Sequence, residues 1–204
     1  MEESKIKIAV LVSGGGTNLQ ALIDAQASGV IKSGEIVLVV SNNPDAYALE
    51  RAKKAGINTA VVKKKSKNAQ EEFEAEITQA LSGCGAELVV LAGFMSILSK
   101  AFTDRYARRI INVHPSLIPS FCGEGFYGLR VHRAALDYGV KVTGATVHYV
   151  NEIPDGGEII LQRAVYIEEG DTPEVLQRRV MEQAEWKILP EAAELVCRRL
   201  LKEK

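Results

Sequence analysis

The sequence has little excess charge, few cysteines and no long apolar run, and each shortage excludes a class of protein. A net charge of −1 leaves no broad basic surface for nucleic acid. The 3 cysteines, Cys84, Cys122 and Cys197, are far apart, which is typical of free thiols in a reducing compartment. No apolar run approaches membrane-spanning length, and the acidic N terminus is unlike a signal peptide. We therefore expect a cytoplasmic protein with no nucleic-acid or membrane partner.

Short apolar segments alternate with amphipathic segments over the first half of the chain. Most of the apolar segments are hydrophobic at every position, as strands covered by helices on both faces are. Strict alternation predicts right-handed crossovers and a parallel, doubly wound sheet. The predicted strands are 6–12, 35–40, 58–62, 87–92 and 109–113, and the predicted helices are 18–27, 46–55, 69–81 and 97–106.

The second half of the chain has a different pattern. Two segments with more polar alternation, 143–150 and 158–167, are joined by the turn-rich "NEIPDGG", which predicts appended antiparallel strands. A long C-terminal helix follows, with Asp171 or Thr172 as N-cap and a break near Pro190. The fold class is therefore α/β. We expect a single domain over 1–204, with a Rossmann-like, mostly parallel sheet, antiparallel strands in the C-terminal half and a long C-terminal helix.

The loop "SGGGTN" follows the first predicted strand and opens the first helix. Glycines let the backbone approach a ligand, and a helix N terminus favours an anion such as phosphate. A P-loop would end in Gly-Lys-Ser/Thr. A dinucleotide fingerprint would need a glycine where Leu19 stands and an acid where Ser41 and Asn42 follow the second strand. A tight turn without a ligand remains an alternative to a phosphate cradle formed by Gly15, Gly16, Thr17 and Asn18.

The stretch "INVHPSLIP" ends a predicted strand on polar side chains and prolines, although a buried strand needs no imidazole at its end. Asn112 can donate to an oxyanion and His114 can move a proton, while a carboxylate such as Asp155 would raise the histidine pKa. These roles suit acyl-type transfer through a tetrahedral intermediate. A structural histidine and a turn-forming Asp155 remain alternatives. A hydrolase centred on Ser116 lacks the Gly-x-Ser-x-Gly elbow, and the histidines and cysteines show no metal-ligand spacing.

Six segments together resemble a known family. They are "VLVSGGGTNLQALID", "SNNPDAYALERAKKAGI", "VVLAGFMSILS", "INVHPSLIPSF", "GATVHYVNEIPDGGEIILQ" and "EGDTPEVLQRRV". In order and spacing they are similar to the phosphoribosylglycinamide formyltransferases, which are folate-dependent enzymes of purine synthesis. The resemblance covers essentially the whole chain.

The resemblance implies transfer of a formyl group from the co-substrate 10-formyltetrahydrofolate to the amine of phosphoribosylglycinamide, without a metal. It implies that Asn112 stabilises the oxyanion, that His114 is the charged acid beside it, and that Asp155 keeps the histidine protonated. It implies a phosphate site at Gly16, Thr17 and Asn18 and a ribose contact at Glu185. The implied folate-binding residues are Met95, Ser96, Ile97, Leu98, Asn151, Glu152 and Ile153.

Two positions depart from the family pattern. Ser96 and Gln70 stand where members often carry arginines that contact the folate tail, a role that "KKKSK" (63–67) could take over. His132 and His148 are interpreted as structural.

Three alternatives stay open, namely a methionyl-tRNA formyltransferase, a formyltetrahydrofolate hydrolase and a non-catalytic phosphosugar-binding module. The first two carry an additional domain, which we do not expect here. The oligomeric state is also open, with a homodimer as one candidate.

Overall fold

The computed structural model describes residues 5–66 and 68–204 and contains one seven-stranded sheet. The strand order is β3-β2-β1-β4-β5-β6-β7. Neighbours among β1 to β5 are parallel, whereas β6 is antiparallel to both β5 and β7. The predicted doubly wound sheet with appended antiparallel strands is therefore confirmed. The strands are β1 (Ile6–Val12), β2 (Gly34–Ser41), β3 (Asn58–Val61), β4 (Leu88–Leu91), β5 (Ile110–His114), β6 (Val142–Tyr149) and β7 (Ile159–Tyr166).

Helices cover both faces of this sheet. They are α1 (Thr17–Ala27), α2 (Tyr47–Lys54), α3 (Gln70–Cys84), α4 (Lys100–Arg105), α5 (Leu129–Tyr138), α6 (Pro173–Val180) and α7 (Trp186–Lys202). The fourth helix begins at Lys100 and not at residue 97 as predicted, because Ser99 is its N-cap and accepts a hydrogen bond from the Phe102 N–H. The buried Glu74 carboxylate accepts from the Ser99 amide and hydroxyl and fixes that start. Residues 95–98 therefore form a loop.

The core lies on both sides of the sheet, as the uniformly apolar strands predict. Along β1, Ile8 and Val10 pack on the face covered by α1 and α7, while Ala9 and Leu11 pack on the face covered by α3. All four side chains have no exposed surface. A shift by one residue would exchange the two sets, so the different side-chain volumes on the two faces fix the register of the central strand.

The predicted break near Pro190 is wrong. Pro190 lies inside α7, and the irregularity is a π-helical turn, Met181–Glu185, immediately before that helix. A proline cannot donate to the carbonyl four residues earlier, which here belongs to Trp186, the first residue of α7. The change from π- to α-helical pitch at this point accommodates the proline without ending the helix. The predicted cap is confirmed, because the Thr172 hydroxyl accepts from the Val175 amide at 3.3 Å.

Polar loops meet at the carboxyl ends of the parallel strands. The Met95 amide after β4 donates to the Ser13 hydroxyl after β1 at 2.8 Å, and the Asn42 side chain after β2 donates to the Ser96 hydroxyl at 2.9 Å. These bonds join three loops into one rim, where ligands of doubly wound sheets bind. No helix in the described part of the chain is long and apolar enough to span a membrane.

Candidate active site

Asn112 and His114 lie at the end of β5, where they face the open edge of the rim. They are two residues apart and share one face of the strand. Asn112 is the last β5 residue paired with β4, and beyond that point β5 pairs only with β6 among the described residues. The strand thus delivers a half-buried amide and a buried imidazole to the point where the parallel sheet ends.

The two ring nitrogens of His114 each face a hydrogen-bond acceptor. Nε2 donates to the Phe121 carbonyl at 2.9 Å, and Nδ1 lies 3.4 Å from Oδ2 of Asp155. The side chain of His114 is 6% exposed and that of Asp155 is 13% exposed. Only the doubly protonated imidazolium can donate to both acceptors, so this geometry favours the charged ring.

Burial opposes that geometry and decides the net effect. Desolvation lowers the pKa of His114 and is the largest effect, the Asp155 carboxylate and Phe121 carbonyl raise it, His148 lowers it, and the net direction is downward. The expectation that the pKa would lie above that of an unpaired histidine is therefore wrong in net direction, although the effect of Asp155 has the predicted sign. For Asp155, burial raises the pKa, but the neighbouring His148 and His114 rings and the Gly123 amide together lower it. The cluster therefore favours the charged form of Asp155, whereas burial disfavours the charged form of His114.

Two non-glycine residues with left-handed backbone conformations supply the acceptors. Phe121 has φ 49° and Asp155 has φ 56°, a region that costs such residues about 1–3 kcal/mol each. The Gly123 amide, two residues after Phe121, donates to Oδ2 of Asp155 at 2.9 Å. This bond links the loop that carries Phe121 to the loop that carries Asp155. The strained backbone at both residues thus places the Phe121 carbonyl and the Asp155 carboxylate against His114.

His114, Gly123 and Asp155 border a cleft of about 900 Å³. Thr17, Asn18 and Glu185 line it together with Asn112, His114 and Asp155. An adjoining cavity of about 130 Å³ shares Asn112 and Asp155 with the cleft. The structure therefore brings the two groups of predicted residues to one continuous site, with Asn112 and Asp155 where the two spaces meet.

The N terminus of α1 forms one end of the cleft. Thr17 and Asn18 line it, whereas Gly15 and Gly16 shape the loop that leads into the helix. Gly16 has φ 72°, and a Cβ there would lie 2.6 Å from Cβ of Ala48, so only glycine fits. The unpaired amides of the first helical turn and the helix dipole make this end of the cleft suitable for an anion.

Glu185 reaches the cleft from the π-helical turn. Its carboxylate accepts from the Asn18 side chain at 2.8 Å, and burial raises its pKa while this bond lowers it. The other side-chain atom of that amide, Asn18 Oδ1, is buried and has no partner among the described residues. A buried carboxylate and an unpaired amide oxygen together provide acceptors for the hydroxyls of a ligand.

The predicted folate-binding residues line the adjoining cavity or its opening. Met95, Ile97 and Ile153 are 57%, 69% and 59% exposed, and they form an apolar opening. Met95 lines the larger cleft, and the smaller cavity is lined by Ser96, Ile97, Leu98, Asn151, Glu152 and Ile153. Two of these side chains also hold the loops: Leu98 is buried, and Asn151 Oδ1 accepts from the Ile153 amide.

The side chain of Gln70 is held by hydrogen bonds to other residues of the protein. Its side-chain amide donates to the Ile97 carbonyl at 3.0 Å and to Glu74, and its oxygen accepts from Lys64. Lys65 of the "KKKSK" segment pairs with acidic residues of α3, and Lys67 lies outside the described residues. Gln70 thus supports the 95–98 loop.

Sequence reasoning missed several side chains of the cleft. His148, interpreted as structural, lies beside both Asn112 and Asp155. His132 also lines the cleft. Burial lowers its pKa to about 4, and both its ring nitrogens are unpaired within the described part of the chain. Gln177 of α6 and Met181 of the π-helical turn line the cleft as well, and no local sequence pattern places them there.

Comparison with known proteins gives a consistent result. The formyl transferase family model matches residues 6–193. A phosphoribosylglycinamide formyltransferase of Haemophilus influenzae is 45% identical over 184 residues, covering 90% of this chain and 84% of the relative. The glycinamide ribonucleotide transformylase 1 structure from Symbiobacterium toebii superposes with a TM-score of 0.88 at 42% identity, over 96% of this chain and 89% of the other.

A longer relative matches over one part of its length. The trifunctional purine biosynthetic protein adenosine-3 of Gallus gallus is 44% identical over 197 residues, which is 97% of this chain but 19% of that protein. The chain thus spans about a fifth of the length of the trifunctional relatives it matches. Fold, site and comparisons agree that the chain belongs to the formyl transferase family, among the phosphoribosylglycinamide formyltransferases.

Proposed function

We propose that the protein transfers the formyl group of 10-formyltetrahydrofolate to the amine of phosphoribosylglycinamide in purine biosynthesis. The observation that carries the proposal is that the N terminus of α1, a kind of site that favours anions, lines the same cleft as Asn112, His114 and Asp155. The apolar opening at Met95, Ile97 and Ile153 suits the flat rings of a folate. The names of the similar proteins support the same substrate.

In the proposed reaction the amine nitrogen forms a bond to the formyl carbon, and the carbonyl electron pair moves to oxygen. The Asn112 side-chain N–H donates to that oxyanion, and the imidazolium of His114 stabilises its charge. Collapse breaks the bond from carbon to the folate nitrogen. One proton leaves the attacking amine and one reaches the folate nitrogen, so the products are the formamide and tetrahydrofolate. Asp155 counteracts the burial that disfavours the charged His114.

Formylation by the purified chain tests this function. We expect tetrahydrofolate and formylated product to appear in equal amounts when phosphoribosylglycinamide is added, and neither to appear at a comparable rate with water alone or with methionyl-tRNA. Donor loss without an acceptor would indicate a hydrolase, and product on tRNA would indicate the tRNA-directed relative. Tight phosphosugar binding without turnover would indicate a non-catalytic module.

Three further expectations accompany this proposal and remain predictions. They are one catalytic domain over residues 1–204, a cytoplasmic location and a homodimer as a candidate assembly. The three cysteines are free, as we expect in a reducing compartment. A relative from Arabidopsis thaliana is named as chloroplastic, so the compartment differs within the family.

The change Glu185→Gln should stabilise the folded protein but weaken binding of the phosphosugar. Because burial raises the pKa of Glu185, its contribution to stability is present below the pKa of the unfolded chain and is lost as pH rises through the folded value. Gln keeps an oxygen for Asn18 without the buried charge. We expect stability at pH 7–8 to increase by roughly 1 kcal/mol, and the KM for the phosphosugar to rise about 10-fold. Unfolding curves and kinetics of both proteins check this, and unchanged KM would remove Glu185 from the substrate site.

The change Gly157→Ala should disturb the loop that carries Asp155. A Cβ at Gly157 would lie 1.6 Å from the Tyr149 carbonyl oxygen, so the backbone must move. We expect a loss of about 1–3 kcal/mol in stability and of about 10-fold or more in kcat. Gly83→Ala is the matched control, since nothing lies within 4 Å of its Cβ inside α3, and it should leave kcat unchanged. Equal kinetics of the two variants would contradict this account of the loop.

A further inference from the structure

His148 lies opposite Asn112 in the antiparallel pair of β5 and β6. Its Nε2 is 3.3 Å from Nδ2 of Asn112 and 3.6 Å from Oδ1 of Asp155. The side chain is 2% exposed. A single buried atom therefore contacts the proposed oxyanion donor and the carboxylate that faces His114.

The other ring nitrogen defines the tautomer. Nδ1 of His148 lies 2.8 Å from the Tyr149 carbonyl oxygen, which can only accept, so Nδ1 carries the proton. In the neutral ring Nε2 then has a lone pair and accepts from the Asn112 amide nitrogen. The opposite orientation of that amide would set its oxygen against the lone pair, two acceptors at hydrogen-bond distance.

This arrangement fixes the direction of the Asn112 donors. The amide nitrogen has two hydrogens, and one is used by His148. The second N–H lies in the same plane and is held by that bond, and Asn112 lines both the large cleft and the adjoining cavity. An amide that could rotate freely would present its oxygen to the cleft part of the time and would repel an oxyanion.

We propose that His148 is a positioning residue for formyl transfer, which acts through Nε2 by fixing the orientation of the Asn112 amide while bordering the second oxygen of Asp155. The inference rests on the proposed function. A histidine that only fills space between β6 and its neighbours would also be buried. It would not, however, couple to Asn112 in kinetics.

Two substitutions test the roles of the two ring nitrogens separately. His148→Gln places an amide oxygen near the position of Nε2 and keeps an acceptor for Asn112. His148→Asn keeps a donor near the position of Nδ1 for the Tyr149 carbonyl and lacks any group at Nε2. We expect His148→Asn to lower kcat by about 10-fold or more, with the KM values of both substrates changed less than about 3-fold, and His148→Gln to restore most of kcat.

A double-mutant cycle tests the route of the effect. In an Asn112→Ala background, His148→Asn should cost less than about 3-fold in kcat, because the amide that it positions is gone. The inference would be overturned if His148→Asn lowered kcat by the same factor with Asn112 and with Asn112→Ala. It would also be overturned if His148→Asn and His148→Gln lowered kcat equally and in proportion to their loss of stability.

Nitrogen NMR of the unaltered protein gives a test that does not depend on any variant. With ¹⁵N-labelled histidine, we expect the neutral ring of His148 to be protonated at Nδ1 and unprotonated at Nε2. The opposite tautomer would overturn the inference, and this measurement stands whether or not the variants fold. Absence of formyl transfer in the wild-type protein would instead reject the proposed function. Normal wild-type turnover with no difference between the two variants would reject the inference alone.

Discussion

Asn112→Ala and His114→Ala should each reduce formyl transfer more than a substitution outside the cleft. Removal of one oxyanion donor costs about 10²-fold to 10³-fold in kcat, and loss of a general acid costs about 10²-fold to 10⁴-fold. KM should change little, because both interactions form with the charge that develops in the transition state. Steady-state kinetics with both substrates measures the effects.

A control is needed for the His114 variant, because this side chain is buried and its Nε2 donates a hydrogen bond to the Phe121 carbonyl. Unfolding curves should show that each variant is fully folded at the assay temperature. His114→Gln keeps a donor of similar reach without the ability to become charged, and should remain nearly as impaired as the alanine variant. Folded Asn112→Ala or His114→Ala proteins with near-wild-type kcat would end the catalytic assignment.

Asp155→Asn should also cause a large loss, with a measurable electrostatic cause. The change keeps the shape and removes the charge that opposes the burial of His114. We expect kcat to fall by about 10²-fold and the pKa of His114 to move further below its ordinary value, while phosphosugar binding stays largely intact. NMR titration of His114 in both proteins checks this, and identical pKa values would demote Asp155 to a turn residue.

The same variant should change the dependence of stability on pH. The pKa of His114 is lowered in the folded protein, so the folded state binds fewer protons than the unfolded one and stability is lost as pH falls below about 6.5. Without the Asp155 charge the pKa is lower still, and the loss continues further into the acidic range. The pKa of Asp155 is lowered in the folded protein, so its carboxylate stabilises the folded state above the unfolded-state pKa of about 3.9. The Asn variant lacks this contribution.

The sheet and the rim could be predicted because each follows from a local pattern and one general rule. Strands that are apolar at every position must be covered on both faces, and parallel strands bring their carboxyl ends to one edge. Together these rules place the loops "SGGGTN", "GFMS" and "NVHPS", each of which follows a strand, at one edge of the sheet. It also placed Asn112 and His114 on one side of a strand end, since their spacing fixes the face.

The rest of the site depends on features that have no local pattern. Asp155 reaches His114 through a left-handed backbone conformation that a non-glycine residue rarely adopts. His148 meets Asn112 only because β6 has one particular register on β5. The net direction of the His114 pKa depends on how deeply the ring is buried, which the sequence does not contain. Pro190 was misleading because the irregularity that accommodates it lies in the preceding turn.

A crystal structure with a phosphosugar and a non-reactive folate analogue tests the central claim most directly. That claim is that one cleft holds both substrates with the reacting carbon beside Asn112 and His114. We predict the phosphate at the N terminus of α1, the analogue between residues 95–98 and 151–153, and its formyl-equivalent oxygen about 3 Å from the Asn112 side-chain nitrogen. Occupation of the cleft by both ligands with that oxygen directed away from Asn112 and His114, or binding of either ligand elsewhere, would contradict the account.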